Sequence, residues 1–333
     1  MYFLAEAERQ LLQRRLMPQV RRSGIVEELR GWNWDEPPLS PVYETRLAIY
    51  EVANQYCETG RDLYLRRCAG LRPRPNPAME EGRYLHSALS QLFLGAKTLI
   101  YRYGVEALPA LENDLAAPPA AEFDRPPHLS PAELEETRAK AEALWRFERD
   151  RICARVRDAC SRHQRLSADA VIALALPVFV DLRLDGTLLG LSSSLAAEAF
   201  AISEGIVFDV KFGPKEPFDR LANAGYALVM ESVQQTPVNF GCSVYVSFGR
   251  QGPHIQRDLY VIDEELRQRF IEARDERARM VETELDPGLP AHCPETCPFL
   301  AVCHGDRSPK ASGRPGFANL RGKAAERRTP APK

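Results

Sequence analysis

The chain has 333 residues, 44% apolar and 27% charged, with a net charge of −2. That profile suits a soluble globular protein of one large or two smaller domains and excludes a global basic field advertising nucleic acid. Glu6, Glu8 and Arg9 interrupt the stretch where a signal peptide would be apolar. The longest apolar run, Ala170 to Val180, contains a proline and falls short of the roughly 20 residues a bilayer span needs, so the expected compartment is the cytoplasm.

The first predicted element is a helix over residues 6–22, with an apolar stripe at Leu11, Leu12 and Leu16. A Trp/Pro-rich loop follows at Arg30 to Glu44. Helices are expected over Tyr43–Cys57 and Arg83–Tyr103, then a proline-rich linker or insertion over 106–130. Ser130, Pro131 and Glu133 supply an N-cap, a first-turn proline and a capping box, opening a long polar helix to about Gln164. From Ala168 to Ile262 the texture favours strands, with "IVFDVKF" and "CSVYVSF" alternating. A helix over Phe218–Gln235 separates those two, and a last helix is capped by Asp263. The expected organisation is a helical region at 1–165, a strand-rich core at 166–262, a helix and cysteine segment at 263–305, and a basic tail at 306–333. The expected fold class is α/β, of the α+β kind, with one central sheet flanked by helices.

Within the core, "LSSSLAAEAFAISEGIVFDVKFG" reads as a hairpin turning at Ser203-Glu204. That register sets Glu198 opposite Asp209 and Ala196 opposite Lys211. Alternation then puts Asp209 and Lys211 on the face of Glu198, while Phe208, Val210 and Phe212 meet Ala199, Ala197 and Leu195 on an apolar face. Directly opposed residues have Cβ atoms about 5 Å apart, and two carboxylates at that distance call for a cation between them. Mg²⁺ is such a cation, and with Lys211 beside a bound water the set suits phosphodiester hydrolysis. The plain alternative is that Lys211 neutralises two acids on a solvated sheet face.

Eight cysteines remain to be placed. In a reducing compartment a local cluster points to metal or redox chemistry rather than disulfides. Cys153, Cys160 and Cys242 read as small buried hydrophobes, and Cys68 has no evident role. Cys293, Cys297 and Cys303 lie close together, separated by three and then five residues. Three thiolates leave a four-ligand site one short. Zinc with His292 or His304 is one completion, although His304 directly follows Cys303 and the two would compete for reach.

These residues together resemble the RecB-like branch of the PD-(D/E)xK nucleases, and within it the CRISPR-associated exonuclease with an iron–sulfur cluster, in its archaeal-type spacer-acquisition variant. The resemblance rests on Glu198, Asp209-x-Lys211, His86 in "GRYLHSAL", Tyr226 in "RLANAGYALVMES", "ELRGWNW", "TGRDLYLRR", and cysteines at both ends of the core. It covers residues 1–305 and implies a restriction-endonuclease-like core sheet. It implies that Glu198, Asp209, His86 and the Val210 carbonyl hold Mg²⁺ or Mn²⁺, that Lys211 acts on the water, and that Tyr226 positions the DNA backbone. It further implies a 4Fe–4S cluster on Cys57, Cys293, Cys297 and Cys303. The implied activity is trimming of single-stranded DNA ends, 5′-to-3′, for spacer acquisition alongside CRISPR adaptation integrase proteins. Two departures stand out: the family's aspartate is Glu198 here, and its QxxxY glutamine falls on Ala222, with Asn223 three residues before Tyr226 on the same helix. Other readings are a non-catalytic DNA-binding or assembly subunit and a RecB-like repair nuclease. Trp32, Trp34 and Tyr84 are candidates for stacking on single-stranded bases or for core packing.

Overall fold

The computed structural model describes all residues except 74–75, 120–127, 164 and 306–333. The basic tail expected at 306–333 therefore lies outside the described residues. Five strands form one mixed sheet in the order β1 (Val178–Leu184), β2 (Leu195–Ala201), β3 (Ile206–Lys211), β4 (Phe240–Gly249) and β5 (Gly252–Val261). Neighbours are antiparallel except β3 and β4, which run parallel. A parallel pair needs a crossover, and the Arg220–Gln234 helix supplies it.

Each face of the sheet is covered by its own apolar core. One core joins Met1–Leu4 and the Pro77–Tyr103 and Pro131–Arg162 helices to Phe208, Val210, Cys242 and Val244. The other joins the Ile49–Ala53, Arg220–Gln234 and Glu264–Glu282 helices to Val207, Tyr260 and Ile262. The caps behave as their chemistry dictates. Ser130 accepts from the Glu133 amide while Glu133 accepts from that of Ser130, and Asp263 accepts from Leu266.

Three expectations need correction. Residues Ala168–Ala175 are helical, so the long apolar run divides at Pro177 into a helix and β1. Only Ile49–Ala53 of the helix expected over Tyr43–Cys57 forms, and a separate helix covers Arg61–Arg67. The linker expected over 106–130 contains a helix at Leu108–Asp114.

The hairpin has the expected register, with Ala201 opposite Ile206, Phe200 opposite Val207 and Ala199 opposite Phe208. There the β2–β3 ladder ends, and the expected pairs Glu198–Asp209, Ala197–Val210 and Ala196–Lys211 do not form. On the other side of β2, pairing with β1 skips the level of Glu198, where Asp181 has a left-handed backbone (φ 51°). The β1–β2 ribbon also changes sides at this level. Val178, Val180, Ala199 and Ala201 belong to the first core, whereas Leu184, Leu195 and Ala197 belong to the second. The continuous apolar face expected for β2 is thus divided between the two cores, because the ribbon bends at Asp181.

Candidate active site

Glu198 sits where the sheet opens. Its Oε2 accepts the Val210 amide at 2.6 Å, in place of the ladder bond that amide would otherwise make to β2. Its Oε1 accepts the Tyr2 hydroxyl at 3.0 Å and lies 3.1 Å from His86 Nδ1. His86 comes from the Pro77–Tyr103 helix, with its ring edge-on to Phe212 at 4.9 Å. Burial alone would lower the imidazole pKa, but the Glu198 charge and hydrogen bond and the Asp209 charge outweigh it, so the pKa is raised.

Asp209 and Lys211 face the second layer. Lys211 Nζ lies 2.9 Å from Asp209 Oδ2 and 4.0 Å from Asp219 Oδ1. The 2.9 Å contact is an ion pair, and Asp209 Oδ2 is otherwise buried without a hydrogen-bond partner. Burial, helped by the Glu198 charge, raises the Asp209 pKa against the pull of Lys211. Burial would lower that of Lys211, but Asp209 and Asp219 prevail and hold it up as an ammonium. Tyr226 points in from the crossover helix. Its phenol pKa is raised by burial first, then by the charges of Asp209 and Glu198.

The structure therefore brings His86, Glu198, Asp209, Lys211 and Tyr226 into one neighbourhood from both layers. Tyr2 and Asp219 belong to the same neighbourhood and were not legible in the sequence. Tyr2 is separated from Glu198 by 196 residues, and nothing in its surroundings marks it. Asp219, whose Oδ2 accepts the Tyr245 hydroxyl at 2.9 Å, resembles an ordinary residue at a helix start. Asn223 is not free to stand in for the missing glutamine. It is fully buried and donates to the Tyr260 hydroxyl at 2.8 Å. Trp34 and Tyr84 pack against the two cores, and Trp32 is engaged by Glu27 and Arg30.

The cysteine segment docks on the loop that carries Cys57. Thr59 Oγ1 donates to the Gly288 carbonyl at 3.0 Å, Arg61 makes a bidentate pair with Asp286, and Asn76 donates to the Thr296 carbonyl. All eight cysteines are free thiols. Burial first, then the neighbouring thiols, raises the pKa of Cys293, where Cys303 and Cys57 contribute, and of Cys297, where Cys303, Cys57 and Cys293 contribute. These four thiols thus occupy one electrostatic neighbourhood. Cys68 is apart, with its thiol on the Val281 carbonyl. His304, expected to be kept away by its adjacency to Cys303, has Nε2 3.2 Å from Cys293 Sγ.

Among the described residues, no three His, Cys, Asp or Glu side chains are gathered tightly enough to hold a metal ion as they stand. The donor chemistry nonetheless fits. The acid site offers hard carboxylate oxygens, one of them buried with only the Lys211 ammonium beside it, and the cysteine site offers soft thiols. No described helix is long and apolar enough to cross a membrane.

The sequence profile of a family described as CRISPR-associated exonuclease Csa1 matches residues 1–307. The chain is similar to a CRISPR-associated exonuclease Csa1 of Thermoproteus tenax, 33% identical over 279 residues, covering 84% of this chain and 91% of that protein. It is likewise similar to a CRISPR-associated exonuclease Csa1 of Saccharolobus solfataricus, 29% identical over 305 residues, covering 91% of this chain and 99% of that one. No solved structure matches.

Proposed function

The chain belongs to the CRISPR-associated exonuclease Csa1 family, and from that premise we propose that it is a metal-dependent nuclease of the PD-(D/E)xK type that hydrolyses phosphodiester bonds at DNA ends. The carrying observation is the convergence of His86, Glu198, Asp209, Lys211 and Tyr226 at the opening between β2 and β3. Its substrate in this reading is single-stranded DNA at ends or overhangs, trimmed 5′-to-3′, and its setting is spacer acquisition beside the CRISPR adaptation integrase proteins.

His86, Glu198, Asp209 and the Val210 carbonyl would hold Mg²⁺ or Mn²⁺. What such an ion supplies when bound is Lewis acidity toward a phosphate oxygen. Lys211 is held protonated by Asp209 and Asp219, so its work is to orient the attacking water and offset charge on the pentacoordinate phosphorus, rather than to take a proton. Tyr226 would donate its hydroxyl to the DNA backbone, since burial, reinforced by the charges of Asp209 and Glu198, keeps that hydroxyl protonated. Tyr2 and Val210 hold the Glu198 carboxylate in place. Cys57, Cys293, Cys297 and Cys303 would hold a 4Fe–4S cluster that fastens the C-terminal segment to the Cys57 loop.

Lys211→Ala and Asp209→Asn should each lower Mg²⁺- or Mn²⁺-dependent cleavage of end-labelled DNA overhangs by about 10²–10⁴-fold. If Lys211→Ala cuts as well as the wild type, the catalytic assignment is wrong. Purified protein should be brown, with a broad visible band and bound iron, and colourless protein with stoichiometric zinc would overturn the cluster. One observation favours a second reading, a non-cutting DNA-binding subunit. Both Glu198 oxygens already accept hydrogen bonds. A wild type that binds overhangs but does not cut them would select that reading.

A further inference from the structure

Tyr56 precedes Cys57 in the loop between the Ile49–Ala53 and Arg61–Arg67 helices, and 55% of its surface is exposed. An exposed loop tyrosine is ordinarily unremarked, but this one is fixed. Its ring stands edge-on to the buried Phe218, with centroids 4.8 Å apart and planes at 84°. Phe218 leads directly into Asp219, whose carboxylate lies 4.0 Å from Lys211 Nζ. The ring is therefore braced beside the Lys211–Asp209 pair. Burial first raises the Tyr56 pKa, and the charges of Lys211, Asp219, Glu216 and Asp209 all act on it, in keeping with that position. On the next residue after Lys211, Phe212 supports the His86 ring. Aromatic rings thus flank the charged centre on both sides, and Tyr56 is the one more than half exposed to solvent.

We propose that Tyr56 is the stacking platform for the nucleobase of the strand end whose phosphate meets Asp209 and Lys211. The inference rests on the nuclease reading above and adds the contact that holds the substrate. Stacking suits an end-processing enzyme because every base has a π-face, so the grip is tolerant of sequence. A tyrosine already braced by Phe218 loses little side-chain freedom when a base covers its free surface.

The test separates stacking from bulk. Tyr56→Leu keeps an apolar side chain against Phe218 but removes the π-face, and Tyr56→Phe restores it. Binding is read in a Lys211→Ala background with an oligonucleotide carrying 2-aminopurine at one terminal nucleotide, 5′ or 3′, since stacking quenches its fluorescence. Cleavage is read in the otherwise wild-type protein, and iron content confirms that the neighbouring Cys57 is undisturbed. Quenching should occur with Tyr56 and Tyr56→Phe and be lost with Tyr56→Leu. KM for the single-stranded end should rise about tenfold in Tyr56→Leu with kcat little changed. Equal quenching and equal KM in Tyr56→Leu would overturn the proposal while Lys211-dependent cleavage leaves the nuclease reading intact. A wild type that does not cut, but whose quenching still depends on the π-face, would retain the stacking site and reject the nuclease reading.

Discussion

Tyr2 donates its hydroxyl to a carboxylate from a buried position, between the rings of Phe93 and Phe208. Tyr2→Phe keeps that packing and removes one hydrogen bond to a charged group, at a cost of about 1.5–3 kcal/mol. Urea unfolding would read the loss. The same variant leaves Glu198 Oε1 with His86 as its remaining partner, so its Mn²⁺ affinity, measured by calorimetry, separates a purely structural tyrosine from one that orients a ligand. The register of the turn was legible in the sequence, because the turn residues and the alternation agree on it, and it carries Glu198 toward Asp209 and Lys211 although the ladder stops at Ala199 and Phe208. Tyr2 was not, since a contact across 196 residues leaves no local pattern. Asp181 was not legible either. A left-handed aspartate inside a strand is a tertiary outcome, and it is what divides β2 between the two cores.

The crossover helix that carries Tyr226 is positioned by a buried ionic network. Glu231 on that helix accepts from Arg30, Arg267, the Gly31 amide and the Val238 amide. "ELRGWNW" has its physical reason here. Arg30 reaches Glu231, and Gly31 approaches the helix so closely that a Cβ would lie 2.0 Å from the Leu228 carbonyl oxygen. Gly31→Ala should therefore cost about 3 kcal/mol or more, because backbone rather than a mobile side chain must give way. Glu231→Gln leaves two arginines with one fewer charge between them and should cost about 3–5 kcal/mol. Both are read as shifts of the urea midpoint. The helix itself was legible as the non-alternating segment between two alternating strands. Its anchoring was not, because Glu231 reads in isolation as a surface residue.

At the scale of the molecule, "TGRDLYLRR" joins the N-terminal region to the segment that leads to the three C-terminal cysteines. Gly60 takes a left-handed turn (φ 71°) between Thr59, which holds the Gly288 carbonyl, and Arg61, which holds Asp286. The Arg61 hydrogen bond is the main reason the Asp286 pKa lies below its usual 3.8. A depressed carboxylate contributes its stability above 3.8, and loses it as pH falls through the lowered value. Asp286→Asn should flatten that part of the acid-unfolding curve, by at most about 1 kcal/mol for so exposed a pair. We expect Cys57→Ala to lose bound iron and His304→Ala to retain it, as read by iron analysis. The opening in the sheet, finally, has a built-in gauge. The Val210 amide is held by the Glu198 side chain instead of a neighbouring strand. Its hydrogen–deuterium exchange should quicken if Glu198 turns toward a cation, while the Phe208 amide, still within the ladder, keeps its rate.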